Sequence, residues 1–173
     1  MLTRVTAVVG LLCLVLSGAG FAQGFTQGDK VFSLGGSGAS DKDFEDNTFT
    51  IEGSLGYFFT DNIEAAIRQG LDFADTARND NEWAASTRVA ADHDFDLGRV
   101  WPFVGASLGY VYGDAVSDTW VAGPEAGLRY FVNNTTFILG MVEYQFFFDE
   151  ADEAEDAFED GRFVYTLSIG FRW

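Results

Sequence analysis

Hydrophobic and polar residues alternate along most of this chain, and turn signals divide the alternation into eight runs, at about residues 30–38, 48–59, 63–73, 83–92, 101–112, 119–131, 136–148 and 163–173. Side chains on a strand point to opposite faces in turn, so each run predicts a strand with one apolar face. The second run sets Phe49, Ile51, Leu55, Tyr57 and Phe59 against Thr48, Thr50, Glu52, Ser54 and Phe58. The last sets Phe163, Tyr165, Leu167, Ile169, Phe171 and Trp173 against Val164, Thr166, Ser168, Gly170 and Arg172. An even number of alternating runs, each of about ten residues, predicts an all-β fold: an eight-stranded antiparallel up-and-down transmembrane β-barrel. Pro124 lacks a ladder donor within the sixth run, so a bulge or a shifted boundary is expected there.

The connections after even-numbered strands are short, at residues 60–62, 93–100 and 132–135. Three of the four after odd-numbered strands are long, at 39–47, 74–82 and 149–161, and the one at 113–118 is intermediate. Short periplasmic turns and longer external loops place both termini on the periplasmic side. The outward-facing aromatics then form two girdles. Tyr57, Phe59, Tyr130, Phe171 and Trp173 lie near the periplasmic end, and Trp83, Tyr110, Tyr112, Trp120, Phe146, Phe148 and Phe163 near the outer end.

Residues 1–22 read as a secretory leader: Arg4, an apolar run over 5–16, and small residues before a cut after Ala22. The barrel domain is then 23–173. Cys13 leaves with the leader, so no disulfide is expected. Removing Arg4 takes the formal charge from −17 to −18, which argues against nucleic acid as a partner, because no basic stripe exists to neutralise phosphates. A hydrophobic share of 47% is too high for a disordered chain.

Residues 101–148 resemble the eight-stranded outer-membrane β-barrel domain family, which includes small porin-like proteins and the barrel of outer-membrane protein A. The resemblance is carried by P-F-V-G-A-S-L-G-Y-V-Y-G-D from Pro102, G-P-E-A-G-L-R-Y-F-V from Gly123 and V-E-Y-Q-F from Val142. It implies a place in the bacterial outer membrane, with its lipid and lipopolysaccharide and the outer-membrane assembly machinery as partners. It also implies that Phe171 and the closing Trp173 serve as the assembly signal. Members of the family share no single activity, so the resemblance transfers no catalytic residue.

The polar faces concentrate charge. Glu52, Arg68, Arg88, Glu125 and Glu143 fall near mid-depth on five strands, with Arg129 nearby. An eight-stranded barrel is just wide enough for side chains to fill, so these residues are expected to form one hydrogen-bonded network that plugs the lumen. Most of the 27 acidic residues fall in the external connections, including the run over 149–160, against only Lys42 and Arg78. Hydration and self-repulsion explain such loops, and divalent cations bridging to lipopolysaccharide phosphates are a sharper possibility. His93, the sole histidine, falls in a periplasmic turn between Asp92 and Asp94. No enzyme, cofactor or resident metal is expected. The functional expectation is a structural or surface-interaction protein without a large open pore. A porin-like channel for small or hydrophobic solutes and a secreted lipocalin-type binder are the alternatives.

Overall fold

The computed structural model describes residues 24–40, 47–73, 83–113, 118–148 and 161–173. The stretch read as a leader, 1–22, and most of the acidic connections lie outside these residues. Eight strands follow in order: β1 (Lys30–Ser40), β2 (Asn47–Phe58), β3 (Ile63–Phe73), β4 (Trp83–Asp94), β5 (Val100–Gly113), β6 (Thr119–Phe131), β7 (Thr136–Phe148) and β8 (Arg162–Arg172). Each pairs antiparallel with its neighbour, and β8 closes on β1. Closure leaves no unpaired edge, as a sheet in hydrocarbon requires.

Carried once around the eight ladders, the register that leaves β1 at Lys30 returns at Ser40, a stagger of ten residues. With strands ~4.8 Å apart and a rise of ~3.3 Å per residue, that stagger tilts the strands by about 40°. The tilt brings residues distant in sequence to one level of the lumen.

The bounds of β3, β6 and β7 coincide with the alternating runs, and the other strands differ by one or two residues. The two-residue differences are at β1, which continues to Ser40, and at β4, which continues to Asp94. The Asp94 N–H donates to the Asn62 carbonyl at 2.8 Å, and Asn62 Nδ2 donates back to the Asp94 carbonyl at 2.8 Å, so the adjacent turn prolongs the ladder. His93 is therefore a strand residue, not a turn residue. It faces outward against Phe95, with ring centroids 4.8 Å apart, while Asp92 and Asp94 are buried on the opposite face. The three cannot act on one substrate.

Pro124 causes neither a bulge nor a boundary. Ala122 pairs with Phe146 and Glu125 with Glu143, which leaves three steps on each strand between the two pairs. Pairing of Gly123 and Pro124 with β7 lapses, whereas both residues remain paired with β5. The interruption thus costs the pairing of two residues with β7 and no register.

The alternation places apolar residues outside. Leu55, Ile67, Leu167 and Trp173 are each about 60% exposed, whereas Glu143 and Asp94 are fully buried. This parity is the reverse of a lipocalin-type binder, which buries apolar residues inside. The outward aromatics pair edge to face at both ends: Tyr57 with Phe59 toward the end where the chain termini lie, and Tyr110 with Trp120 and Tyr144 with Phe163 toward the other. The Trp83 side chain falls outside the described set. On β3–β5 the apolar belt is interrupted by a satisfied polar group, in which Thr87 donates to Gln69 Oε1 at 2.7 Å and Gln69 Nε2 donates to the Tyr112 hydroxyl at 3.2 Å.

Candidate functional site: a layered lumen

Inward-facing residues fill the barrel in layers. The layer nearest the chain termini is aromatic. Phe58 from β2, Trp101 and Phe103 from β5, Phe131 from β6 and Phe137 from β7 are all buried there. Phe25, which precedes β1, inserts among them. It stacks on Phe58 at 4.2 Å and meets Phe131 at 5.0 Å, Trp101 at 5.2 Å and Phe137 at 5.6 Å. Its segment is fastened from several sides. Gly28 N–H donates to the Phe58 carbonyl at 2.9 Å, Gln27 N–H to Asp61 Oδ1 at 2.8 Å, and the Arg172 guanidinium to the Gly24 carbonyl. A Cβ on Gly24 would stand 1.8 Å from the Trp101 ring, so only glycine fits at this approach.

Arg129 lies immediately above the aromatic floor. Its guanidinium sits 4.5 Å from the centroid of Phe103 and 5.4 Å from that of Phe25. It donates to Asp94 and Glu64, and to Asp92 Oδ2 at 3.3 Å. Asp92 also accepts from Arg68 at 3.3 Å, so it joins the two guanidiniums. Arg68 in turn holds Glu125 in a bidentate fork, both bonds 2.6 Å. Such forks combine charge with planar geometry and are stronger than neutral hydrogen bonds.

Arg88 organises a second set. It donates to Glu52 and Glu143. Glu143 also accepts from Ser107, and from Gln145 Nε2 at 3.1 Å. Arg162 Nε donates to Gln145 Oε1 at 3.1 Å and carries the chain of contacts toward the outer mouth, where its guanidinium lies 4.9 Å from the Phe147 ring. Thr50 donates to Asp72 at the same end.

Each residue of the sequence-derived network—Glu52, Arg68, Arg88, Glu125, Arg129 and Glu143—is buried in the lumen. The expected single network is replaced by two sets of hydrogen bonds, one around Arg68 and Arg129 and one around Arg88. The periodicity assigned depth along each strand but did not say which carboxylate each guanidinium meets across the barrel. Glu64, Asp92, Asp94 and Ser107 belong to these sets as well; the sequence reading leaves them out of the network and names Asp92 and Asp94 only as neighbours of His93. Glu64 and Asp92 need room that glycines provide. A Cβ on Gly56 would stand 1.7 Å from Glu64 Oε1, and one on Gly105 2.0 Å from Asp92 Oδ1.

Two cavities within the lumen are small. A cavity of about 20 Å3 lies between the Arg68 and Arg129 levels, lined in part by Glu64, Leu139 and Thr166. Another of about 20 Å3 lies beyond Arg88, lined in part by Asp72, Gln145 and Arg162. Each has room for about one water molecule. Among the described residues no group of three or more acids, histidines or cysteines is arranged to hold a metal ion. The acidic run over 149–160 lies outside the described residues.

Phe171 and Trp173 face outward at the end of β8 and are 44% and 63% exposed. The Trp173 backbone exchanges both hydrogen bonds with Lys30, at 3.0 and 3.1 Å. The Trp173 backbone is thus part of the closing ladder.

No protein-family model matches the chain, and no curated protein sequence matches it. Solved structures do. The N-terminal β-barrel domain of Pseudomonas aeruginosa OprF is 20% identical and superposes with a TM-score of 0.63 over 85% of this chain and 98% of that one. Neisserial surface protein A is 20% identical, with a TM-score of 0.58 over 84% of this chain and 96% of its own. The outer-membrane protein OprG of Pseudomonas aeruginosa is 12% identical, with a TM-score of 0.60 over 88% and 99%. The chain has the fold of these eight-stranded transmembrane β-barrels.

Proposed function

We propose that this chain is a bacterial outer-membrane barrel with a sealed lumen, acting as a structural or surface-interaction protein. The carrying observation is the continuous filling of the interior, from the Phe25–Trp101 floor through the Arg129, Arg68 and Arg88 levels. Buried guanidiniums and carboxylates persist in such a site only when paired, and here the pairing also occupies the cross-section. A solute would have to displace several charge-assisted bonds together. That argues against a wide channel. Under this reading Phe171 and Trp173 form the signal read by the assembly machinery, since both present aromatic surface on the outward face at the periplasmic side of β8. Under the same reading the acidic connections, which lie outside the described residues, have lipopolysaccharide as their partner, with divalent cations as the natural bridging counter-charge.

Membrane fractionation combined with electrophoretic mobility before and after boiling tests the reading. The expected result is an outer-membrane protein whose folded form migrates differently from the boiled one. A soluble, heat-insensitive periplasmic protein overturns it. For the assembly signal, Trp173→Lys is expected to reduce outer-membrane yield sharply, and unchanged yield contradicts that role.

A further inference from the structure

A barrel presents a convex outer surface, yet on this one a groove of about 460 Å3 cuts between β2, β3 and β4 down to the backbone. Its floor exists because Ala65 pairs with Tyr57 on one side and with another alanine, Ala91, on the other. The small side chain leaves a slot beneath the Tyr57 and Phe59 rings, which pack edge to face at 5.0 Å. The slot runs toward Ile67 and Val89, near the middle of their strands, and this far end is wholly apolar. At the other end stand Lys30 and Trp173, both exposed.

We propose that the groove seats one acyl chain of an anionic phospholipid of the periplasmic leaflet, with the Lys30 ammonium meeting its phosphate. The site is polarised as such a lipid is. Its charged end lies where an exposed Lys and Trp mark the membrane–water boundary, and its apolar end lies at hydrocarbon depth. The walls offer hydrocarbon and aromatic surface, as an acyl chain requires. A basic residue at this level attracts anionic headgroups. A second copy of the barrel presents a convex belt, which fills a concave groove poorly. The inference rests on the membrane reading above.

The test uses the full mature protein purified in mild detergent. Native mass spectrometry is run after delipidation and again after adding back phosphatidylglycerol or phosphatidylcholine. The wild type is expected to retain one phospholipid and to prefer phosphatidylglycerol. Ala65→Phe, which fills the slot from the lipid side, is expected to lose the bound lipid. Val142→Phe, at a belt position on β7, is expected to keep it. Lys30→Gln is expected to reduce the preference for phosphatidylglycerol by about fivefold, the worth of one basic residue at an anionic surface. Heat-shifted mobility of each variant separates loss of the lipid from loss of the barrel. A heat-modifiable Ala65→Phe protein that retains lipid as the wild type does overturns the proposal, as does a dimer abolished by Ala65→Phe.

Discussion

The two halves of the lumen are filled by different means. Toward the chain termini the filling is apolar: six aromatic rings, five from the strands and one, Phe25, from a segment that belongs to no strand. Toward the outer mouth the filling is ionic, built from Arg68, Arg88 and their carboxylates. Apolar packing tolerates small shifts and draws its strength from area. Ionic packing is all-or-none, because removing one partner strands the other in a medium that cannot solvate it. Arg129 belongs to both halves, with its face on the rings and its edge on Asp94, Glu64 and Asp92.

Removing that junction should have the largest effect. Arg129→Ala leaves three buried carboxylates without their shared cation and is expected to cost about 3–5 kcal/mol, read as a lower urea midpoint for loss of the heat-shifted band. An effect no larger than that of a surface substitution would contradict the ionic account. Phe25→Ala comes next, at about 2 kcal/mol for the lost apolar burial. It should also raise amide exchange in the segment 24–29 while leaving the strands protected, because the segment is tethered to the barrel and is not part of its ladders. Arg68→Lys keeps the charge but loses the fork to Glu125. It should cost about 1 kcal/mol, clearly less than Arg68→Ala in the same assay. His93→Ala is expected to change stability by less than ~0.5 kcal/mol, since the ring faces outward and takes no part in either seal. A large loss there would reveal a role for His93 beyond its Phe95 contact.

The strands and their parity were legible because one face of every strand must suit lipid and the other a polar interior, and a period of two records that directly. Three strands carried the right bounds, and the inward set from Glu52 to Glu143 was assigned its depth. What the period could not supply was partnership across the lumen. Whether Arg88 meets Glu52 and Glu143 or reaches Glu125 depends on the ten-residue stagger, which no single strand encodes. The aromatic floor was missed for another reason. Aromatics at strand ends suggested girdles, yet Trp101, Phe103, Phe131 and Phe137 have inward parity and therefore pack inside. Phe25 lies before the first alternating run, so periodicity gave it no place. His93 was set in a turn because the ladder between Asp94 and the Asn62 turn is a tertiary contact.

Conductance of the purified wild-type protein in a planar lipid bilayer tests the sealed lumen most directly. With the aromatic floor and both ionic levels in place, the barrel should show no steady large-conductance state. A long-lived, large open state in the unmodified protein would contradict the sealed lumen and favour a porin-like channel.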